Sequence, residues 1–411
     1  MYLVETLGTK HQGEPTMKQQ KGKIPAHVKP REFNHPKENH PIILILRGVE
    51  EPRQPSCNFR HSLVSILFIS LVGVLCGAKD WEEIIQAAEG MIDWIGRYID
   101  ISEGIPTVKT CKRVMSIIPT SSLNKLLQSL IAAVRVSGKE GEIVAIDGKT
   151  LRGSRGGDEE TKALHLLHAW STDFGICLGQ VAVNEKSNEI TAFPELIDSL
   201  ELKGTVVTAD ALNTQKSAAA AIVRQGADYV LPVKKNHPEL YADIELLFRD
   251  ADKREFIGLD AAQSHTIEKN AGRVEERYYE LLDIQDLPSA KEWSGCISVG
   301  RVTRRRTKKE KTSEEVTFYI TTLDMDIDLF VKATRGHWGV ENGLHLALDV
   351  VFKEDHHRYQ DRVGCANLSL LRKLALTMLK MDSMLKCGCP AKQMRAATSG
   401  SYRDHLLKKC F

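Results

Sequence analysis

At 411 residues the chain is long enough for two or three domains. Apolar residues make up 42% and charged residues 27%, which excludes a fibrous or wholly disordered protein. Lys and Arg total 56 against 54 Asp and Glu, so bulk charge gives no argument for nucleic acid, and any such argument must come from local patches.

Residues 1–44 are polar and rich in Lys, Gln, His and Pro. They read as a flexible N-terminal arm, within which Met17 is an alternative start. Residues 45–138 read as a helical module. Its most apolar stretch, Leu63 to Ala78, is shorter than the ~20 residues of a bilayer-spanning helix and contains Ser65, Ser70 and Gly73. A buried core helix is the reading, and no membrane association is expected. Trp81, Ile84, Ile85, Ala88, Met91, Ile92 and Ile95 continue the helical spacing. Gly104-Ile-Pro interrupts it, and Thr107 is placed to cap the next helix. Leu123–Val136 is a further amphipathic stretch.

The pattern changes at Gly141. Strands are expected at Glu142–Asp147, at Leu164–Trp170 and Ile176–Asn184 around an Asp173-Phe-Gly turn, at Thr205–Asp210 and at Asp228–Val233. Helices at Glu189–Leu200 and Ser217–Gln225 alternate with them, which is the α/β pattern. Between 236 and 323 the pattern loosens into a helix, Leu240–Phe248, and strands at Arg273–Asp283, Cys296–Arg304 and Val316–Thr322. The last two flank a basic tip, Arg304–Lys311. This block reads as a β-rich insertion in a domain spanning 139–385. Helical spacing resumes over Ile327–Leu348 and Asn367–Met384, and 386–411 forms a C-terminal tail. The nine cysteines include no Cys-x-x-Cys pair. Neither a zinc ribbon nor a disulfide framework is indicated, and reduced thiols in a cytoplasmic protein are the simplest reading.

Three acidic residues stand where chemistry is expected. Asp147 and Asp210 each end a β run, and Glu341 lies on a predicted helix within His337-Trp-Gly-Val-Glu-Asn-Gly-Leu-His345. A carboxylate at the end of a buried strand is costly unless paired, and ligand sites form at that edge of α/β sheets. Two such aspartates and a helical glutamate could together hold Mg²⁺ for phosphodiester transfer. Taken singly, each has a plainer reading. Asp147 before Gly148 suits a turn, Asp210 suits a helix cap, and Glu341 suits a solvated helix face. His337, Glu341 and His345 share one face if the helix is regular, either as a metal-ligand stripe or as a polar lining of a cleft.

At these residues the chain resembles DDE transposases of bacterial insertion sequences, of the H-repeat-associated group. The resemblance spans roughly residues 45–380. It rests on Ala145-Ile-Asp-Gly-Lys-Thr-Leu-Arg-Gly-Ser154, Lys186-Ser-Asn-Glu-Ile-Thr-Ala-Phe-Pro-Glu-Leu196, Thr208-Ala-Asp-Ala211 with Gln215, Arg301-Val-Thr-Arg304, and Arg335-Gly-His-Trp-Gly-Val-Glu-Asn342 followed by Leu348-Asp-Val350. It implies a ribonuclease-H-like catalytic fold with a β-rich insertion, preceded by an all-α module. It also implies Mg²⁺, with Mn²⁺ as a substitute, bound by Asp147, Asp210 and Glu341. The implied reaction cuts DNA at the element end with water and then joins the exposed 3′-hydroxyl to target DNA. A homodimer at synapsis and a bacterial, nucleoid-associated setting are implied too. The chain departs from the group's pattern at Lys235, His237, Ala271, Leu346 and Leu348.

Double-stranded DNA, as terminal repeats and as target, is the expected partner, and contact should be mostly to phosphates. Arg304, Arg305, Arg306, Lys308 and Lys309 at the basic tip are candidates. Lys149 and Arg152 after Asp147 are candidates as well, as are Lys234 and Lys235 at a strand end and Arg335, His337, Trp338 and Asn342 around Glu341. Three readings stay open: an active transposase, a DNA-binding relic that has lost turnover, and another metal-dependent nuclease on the same fold.

Overall fold

The computed structural model describes residues 31–54, 56, 58–135, 140–156, 162–183, 189–270, 272–284, 287–308 and 311–409. Met17, Lys309 and the Lys186-Ser-Asn188 part of the motif ending in Leu196 lie outside them.

The first half of the helical layer comprises α1 (Pro41–Arg47), α2 (Leu63–Leu75), α3 (Trp81–Gly90), α4 (Ile92–Ile95), α5 (Val108–Met115) and α6 (Thr120–Val134). Every residue of α2 is buried. It carries no charge, and Ser70 satisfies its hydroxyl by donating to the Ile66 carbonyl one turn back. Gly73 lets α3 approach, since a Cβ there would lie 2.9 Å from Ile84 Cγ2. Thr107 caps α5 as its position predicts, accepting from the Thr110 amide. The arm is not loose from residue 31 onward. Arg31 pairs with Glu103, and the Asn34 amide donates to Asp100. Ile42, Ile43 and Leu46 of α1 are buried, so apolar contact draws this segment onto the helices.

Nine strands form one sheet in the order β3 (Ile176–Val183), β2 (Leu164–Ser171), β1 (Glu142–Leu151), β4 (Thr205–Ala209), β5 (Asp228–Val233), β9 (Lys311–Thr321), β8 (Ser298–Lys308), β7 (Arg273–Asp283) and β6 (Ala261–Asn270). β1, β4 and β5 run parallel, and β2 and β3 pair antiparallel beside them. This half of the sheet is the ribonuclease-H-like core. Strand β1 runs through Asp147 to Leu151 instead of stopping at the aspartate, because Gly148–Leu151 pair with Leu164–Leu167 of β2. The turn reading of Asp147-Gly148 therefore fails.

The expected β-rich insertion exists but is not a separate body. β9 pairs with β5, from Val230↔Thr321 to Val233↔Phe318, so β6–β9 prolong the same sheet. β6 escapes the sequence pattern because it is an edge strand whose residues are polar or only half-buried. The basic tip also needs correction. Arg304, Arg305 and Arg306 lie within β8, where Arg304 stands opposite Glu315 and Arg305 opposite Glu314. Opposed charges across the ladder carry the hairpin past the point where a loop was expected.

On one face of the core lie α7 (Glu189–Asp198) and α8 (Lys216–Arg224); α9 (Pro238–Lys253) and α10 (Pro288–Lys291) lie beside the second half of the sheet. The other face of β1 carries α11 (Ile327–Gly336), a π-helical turn Glu341–His345, α12 (Leu346–Val350) and α13 (Arg362–Met381). The 386–411 tail holds two helices, α14 (Cys389–Thr398) and α15 (Gly400–Lys409). They complete the N-terminal helical layer. Asp404 of α15 accepts from Trp94 Nε1, Arg97 and Tyr98 of the first half of the chain. No helix among the described residues is long and apolar enough to cross a membrane.

Candidate active site

The parallel register of β1 and β4 pairs Ile146 with Ala209, so Asp147, within β1, and Asp210, just past the end of β4, each follow a paired residue. Neighbouring strands lie about 5 Å apart, so two carboxylates start out side by side. Both follow residues that face α11: Ile143 and Val206 pack with Phe330 and Ala333, and Thr208 Oγ1 lies 3.2 Å from His337 Nδ1. The chain leaves β4 at Asp210 into a short loop. There Asp210 Oδ1 accepts from the Asn213 amide at 3.0 Å and from Asn213 Nδ2 at 2.8 Å. Asp210 is thus a turn-capping residue as well as a strand-end acid.

Asp147 Oδ1 accepts from the Gly148 amide at 2.9 Å, and Oδ2 lies 3.6 Å from His345 Nδ1. The Asp147 side chain is only 21% exposed. Burial, followed by the negative charges of Asp210, Glu341 and Glu189, pushes its carboxyl up to about 7. The charges of Asp210 and Glu341 are therefore both felt at Asp147. Glu341 itself is exposed, on the π-helical turn. That turn widens the helical step and breaks the regular stripe expected of His337, Glu341 and His345. His337 serves Thr208, and His345 turns toward Asp147.

Carboxylate oxygens are the ligands a hard divalent cation prefers. Asp147, Asp210 and Glu341 are the side chains here with the chemistry to hold one. Among the described residues, no three His, Cys, Asp or Glu side chains are gathered closely enough to enclose a metal ion as they stand.

A cleft of about 540 Å³ opens from Asp210 across β5, β7, β8 and β9 to α11. It collects predicted residues from distant parts of the chain: Lys234, Arg304, Arg306, Arg335, His337, Trp338 and Asn342. Alternation along β8 sends Arg304 and Arg306 into it. Arg305 goes to the other face, onto Glu314 and the Tyr278 ring. Lys235 and Lys308 are exposed outside the cleft. Arg152 is open to solvent, with Nε 3.8 Å from Asp355. Lys149 is displaced from its expected role. It is buried and gives both of its short bonds, 2.6 and 2.8 Å, to Asp349 of α12. Being on the same strand face as Asp147, it ties the Glu341 segment to β1 and does not meet solvent.

Sequence reasoning overlooks Arg273 and Arg277, which line the same cleft from β7. Glu275 between them is buried and ion-paired with both, and Arg306 Nε lies 3.6 Å from it. The signal is present as charges at alternate positions, Arg273-x-Glu275-x-Arg277. It becomes legible only once β7 is known to face β8, with Glu275 opposite Arg306 and Arg277 opposite Arg304.

Two aspartates at the ends of paired segments in the ribonuclease-H-like half of a sheet, a glutamate whose charge acts on Asp147 and an arginine-lined cleft are the features of a DDE-type DNA-processing protein. The chain belongs to the transposase DDE domain family, whose model matches residues 138–378, and residues 43–131 match the DDE_Tnp_1-associated model. It is 34% identical over 356 residues to "Putative transposase YncI" of Escherichia coli O157:H7, covering 85% of this chain and 90% of that one. It is 33% identical over 353 residues to "H repeat-associated putative transposase YhhI" of Escherichia coli K12, covering 84% and 92%. A piggyBac transposase synaptic complex with hairpin DNA aligns over 90% of this chain and 77% of that one. Its TM-score is 0.42 and its identity 10%, too slight a likeness to weigh.

Proposed function

We propose that the protein cuts DNA at the ends of an insertion sequence and joins the exposed 3′-hydroxyl to target DNA, with Asp147, Asp210 and Glu341 holding Mg²⁺ or, in its place, Mn²⁺. The observation that supports this reading is that Asp147 and Asp210 directly follow the paired residues Ile146 and Ala209 of β1 and β4, with Asp147 raised to about 7 by burial and by its acidic neighbours. Converging negative charges in a largely buried place cost free energy that a divalent cation offsets. Such an ion, when bound, supplies an acidified water and a counter-charge for the leaving oxygen.

The remaining work falls to the chain's own groups. Lys234, Arg304, Arg306 and Arg335 line the cleft and would position phosphates. Trp338, 51% exposed at the cleft, offers a ring face to a base. Arg304 is paired with Glu315 and Arg335 with Glu268. DNA binding therefore exchanges a carboxylate for a phosphate at each of these guanidiniums. Arg306→Ala is expected to weaken binding to specific and random duplex alike and to reduce the slope of log K against log salt by about one. Fluorescence titration at several salt concentrations measures both, and an unchanged slope removes Arg306 from the interface. Two protomers would hold the two element ends at synapsis, in the bacterial cytoplasm and on the nucleoid.

One observation favours a second reading, a DNA-binding relic without turnover: the three acids are not gathered into a closed metal site. A labelled duplex carrying the element's own end decides between them, incubated with Mg²⁺ and the wild type, Asp147→Ala or Glu341→Ala. Cutting and joining by the wild type alone supports the active enzyme. Binding without cutting by any of the three supports the relic. Cutting without joining points to a nuclease, and cutting by Asp147→Ala overturns the triad.

A further inference from the structure

The motif ending in Leu196 contributes a fourth acid, Glu189, at the start of α7, and it is only 1% exposed. It lies against the face of β1 opposite Asp147. A Cβ at Gly148 would stand 2.5 Å from His165 Nε2 and 2.8 Å from Glu189 Oε1. Glycine after Asp147 therefore makes room for a buried pair. Glu189 Oε1 is 2.6 Å from His165 Nε2, whose other nitrogen is 2.8 Å from Thr150 Oγ1. A carboxylate only accepts, so Nε2 of His165 donates. Glu189 Oε2 accepts from Asn213 Nδ2 at 2.9 Å, and the same Nδ2 donates to Asp210 Oδ1 at 2.8 Å. His165 and Asn213 are also buried.

We infer that Glu189 and His165 form a positioning pair that locks Asn213 and, through it, sets the orientation of the Asp210 carboxylate for a divalent cation. Glu189 does not ligate the ion, because both of its oxygens are engaged behind the aspartates. An Asn213 amide held only by Asp210 could rotate with it. Held by Glu189 as well, it presents one fixed donor, and Asp210 keeps its other oxygen for a ligand. Groups that orient ligands typically change metal affinity about 10–100-fold when replaced. The inference rests on Asp210 being a metal ligand, as proposed above.

Mn²⁺ binding by the full chain, followed by electron paramagnetic resonance of the free ion, provides the test, with thermal unfolding of each variant in parallel. Asp210→Ala is the control for the site itself. Glu189→Gln and Asn213→Ala are each expected to weaken Mn²⁺ binding about 10–100-fold. The double variant should be no weaker than the weaker single one, because both act on one linkage. Asn213→Ala leaves the Glu189–His165 pair in place and keeps the test available if Glu189→Gln does not fold. Wild-type affinity in a folded Asn213→Ala overturns the inference, and so do additive losses in the double variant. Wild-type binding that Asp210→Ala leaves unchanged overturns the metal-site reading itself, a different result from either.

Discussion

Replacing Asp147 with Asn is expected to abolish DNA cutting and, in the absence of metal, to make the protein more stable at pH 8. The carboxyl is raised to about 7 from an ordinary value near 4, by burial first and then by Asp210, Glu341 and Glu189. His345, itself held down to about 4 mainly by burial, and buried Lys149 also face this place. Between pH 4 and 7 the folded protein keeps a proton on Asp147 that the unfolded chain has released. Stability from this group is therefore lost as pH rises through that window, and the loss is complete above about 7. Three pH units correspond to roughly 4 kcal/mol at most. A gain of up to about 5 °C in melting temperature is expected for Asp147→Asn at pH 8, shrinking toward zero near pH 4. The amide keeps the Gly148 bond through its own oxygen. Mg²⁺ should raise the melting temperature of the wild type more at pH 8 than at pH 6, and that of the variant at neither. Scanning calorimetry across pH reads all of this, and a variant less stable than wild type at pH 8 refutes the electrostatic account of the site.

Glu354→Ala is the substitution expected to damage the fold most. Glu354 lies just beyond α12 and is buried. Its Oε1 accepts from Ser369 Oγ at 2.8 Å, and Arg372 Nη1 lies 3.5 Å away. Lys373, fully buried, donates to the same Ser369 hydroxyl at 2.5 Å and to Gln180 Oε1 at 2.6 Å. Removing the one carboxylate leaves Arg372 and Lys373 buried beside neutral acceptors, at a cost of about 3–5 kcal/mol. A fall of roughly 4–6 °C in melting temperature follows. Burial already lowers the Lys373 ammonium, and Glu354 opposes that effect. Without Glu354 the lysine is neutral in the fold at lower pH, while the unfolded chain stays protonated to about 10.4. The variant's deficit should therefore narrow as pH rises toward 10. Glu354→Gln combined with Lys373→Met is expected to recover more than half of the loss. A melting temperature within 2 °C of wild type for Glu354→Ala shows that this network contributes nothing. The effect should reach the site too, because the neighbouring Asp355 accepts from the Arg152 amide and lies 3.7 Å from Lys149.

Much of this was legible from residue patterns. The β-branched runs ending near Asp147 and Asp210 appear as β1 and β4, because a buried parallel strand must be apolar on both faces. Leu63–Leu75 declares itself a core helix by carrying no charge at all. Thr107 marks its helix start through the chemistry of a single side chain. In each case the decisive interaction lies within a few residues, or burial leaves no choice of residue type.

What escaped the sequence depends on partners far along the chain. Asp147 sits within a strand because β2 continues past it, and Gly148 is there for the Glu189–His165 pair more than 15 residues away. Lys149 looked free for DNA until Asp349, 200 residues on, occupied it. The arginines of β8 looked like a loop until Glu314 and Glu315 stood across the ladder. Arg273 and Arg277 joined the cleft only through a register that a one-residue slip would reverse. The sequence by itself determined most of the buried strands and the core helix Leu63–Leu75. Tertiary structure decided which charged groups face solvent and which face each other, because a charge's role depends on what lies within a few ångströms of it, and local sequence carries no record of that distance.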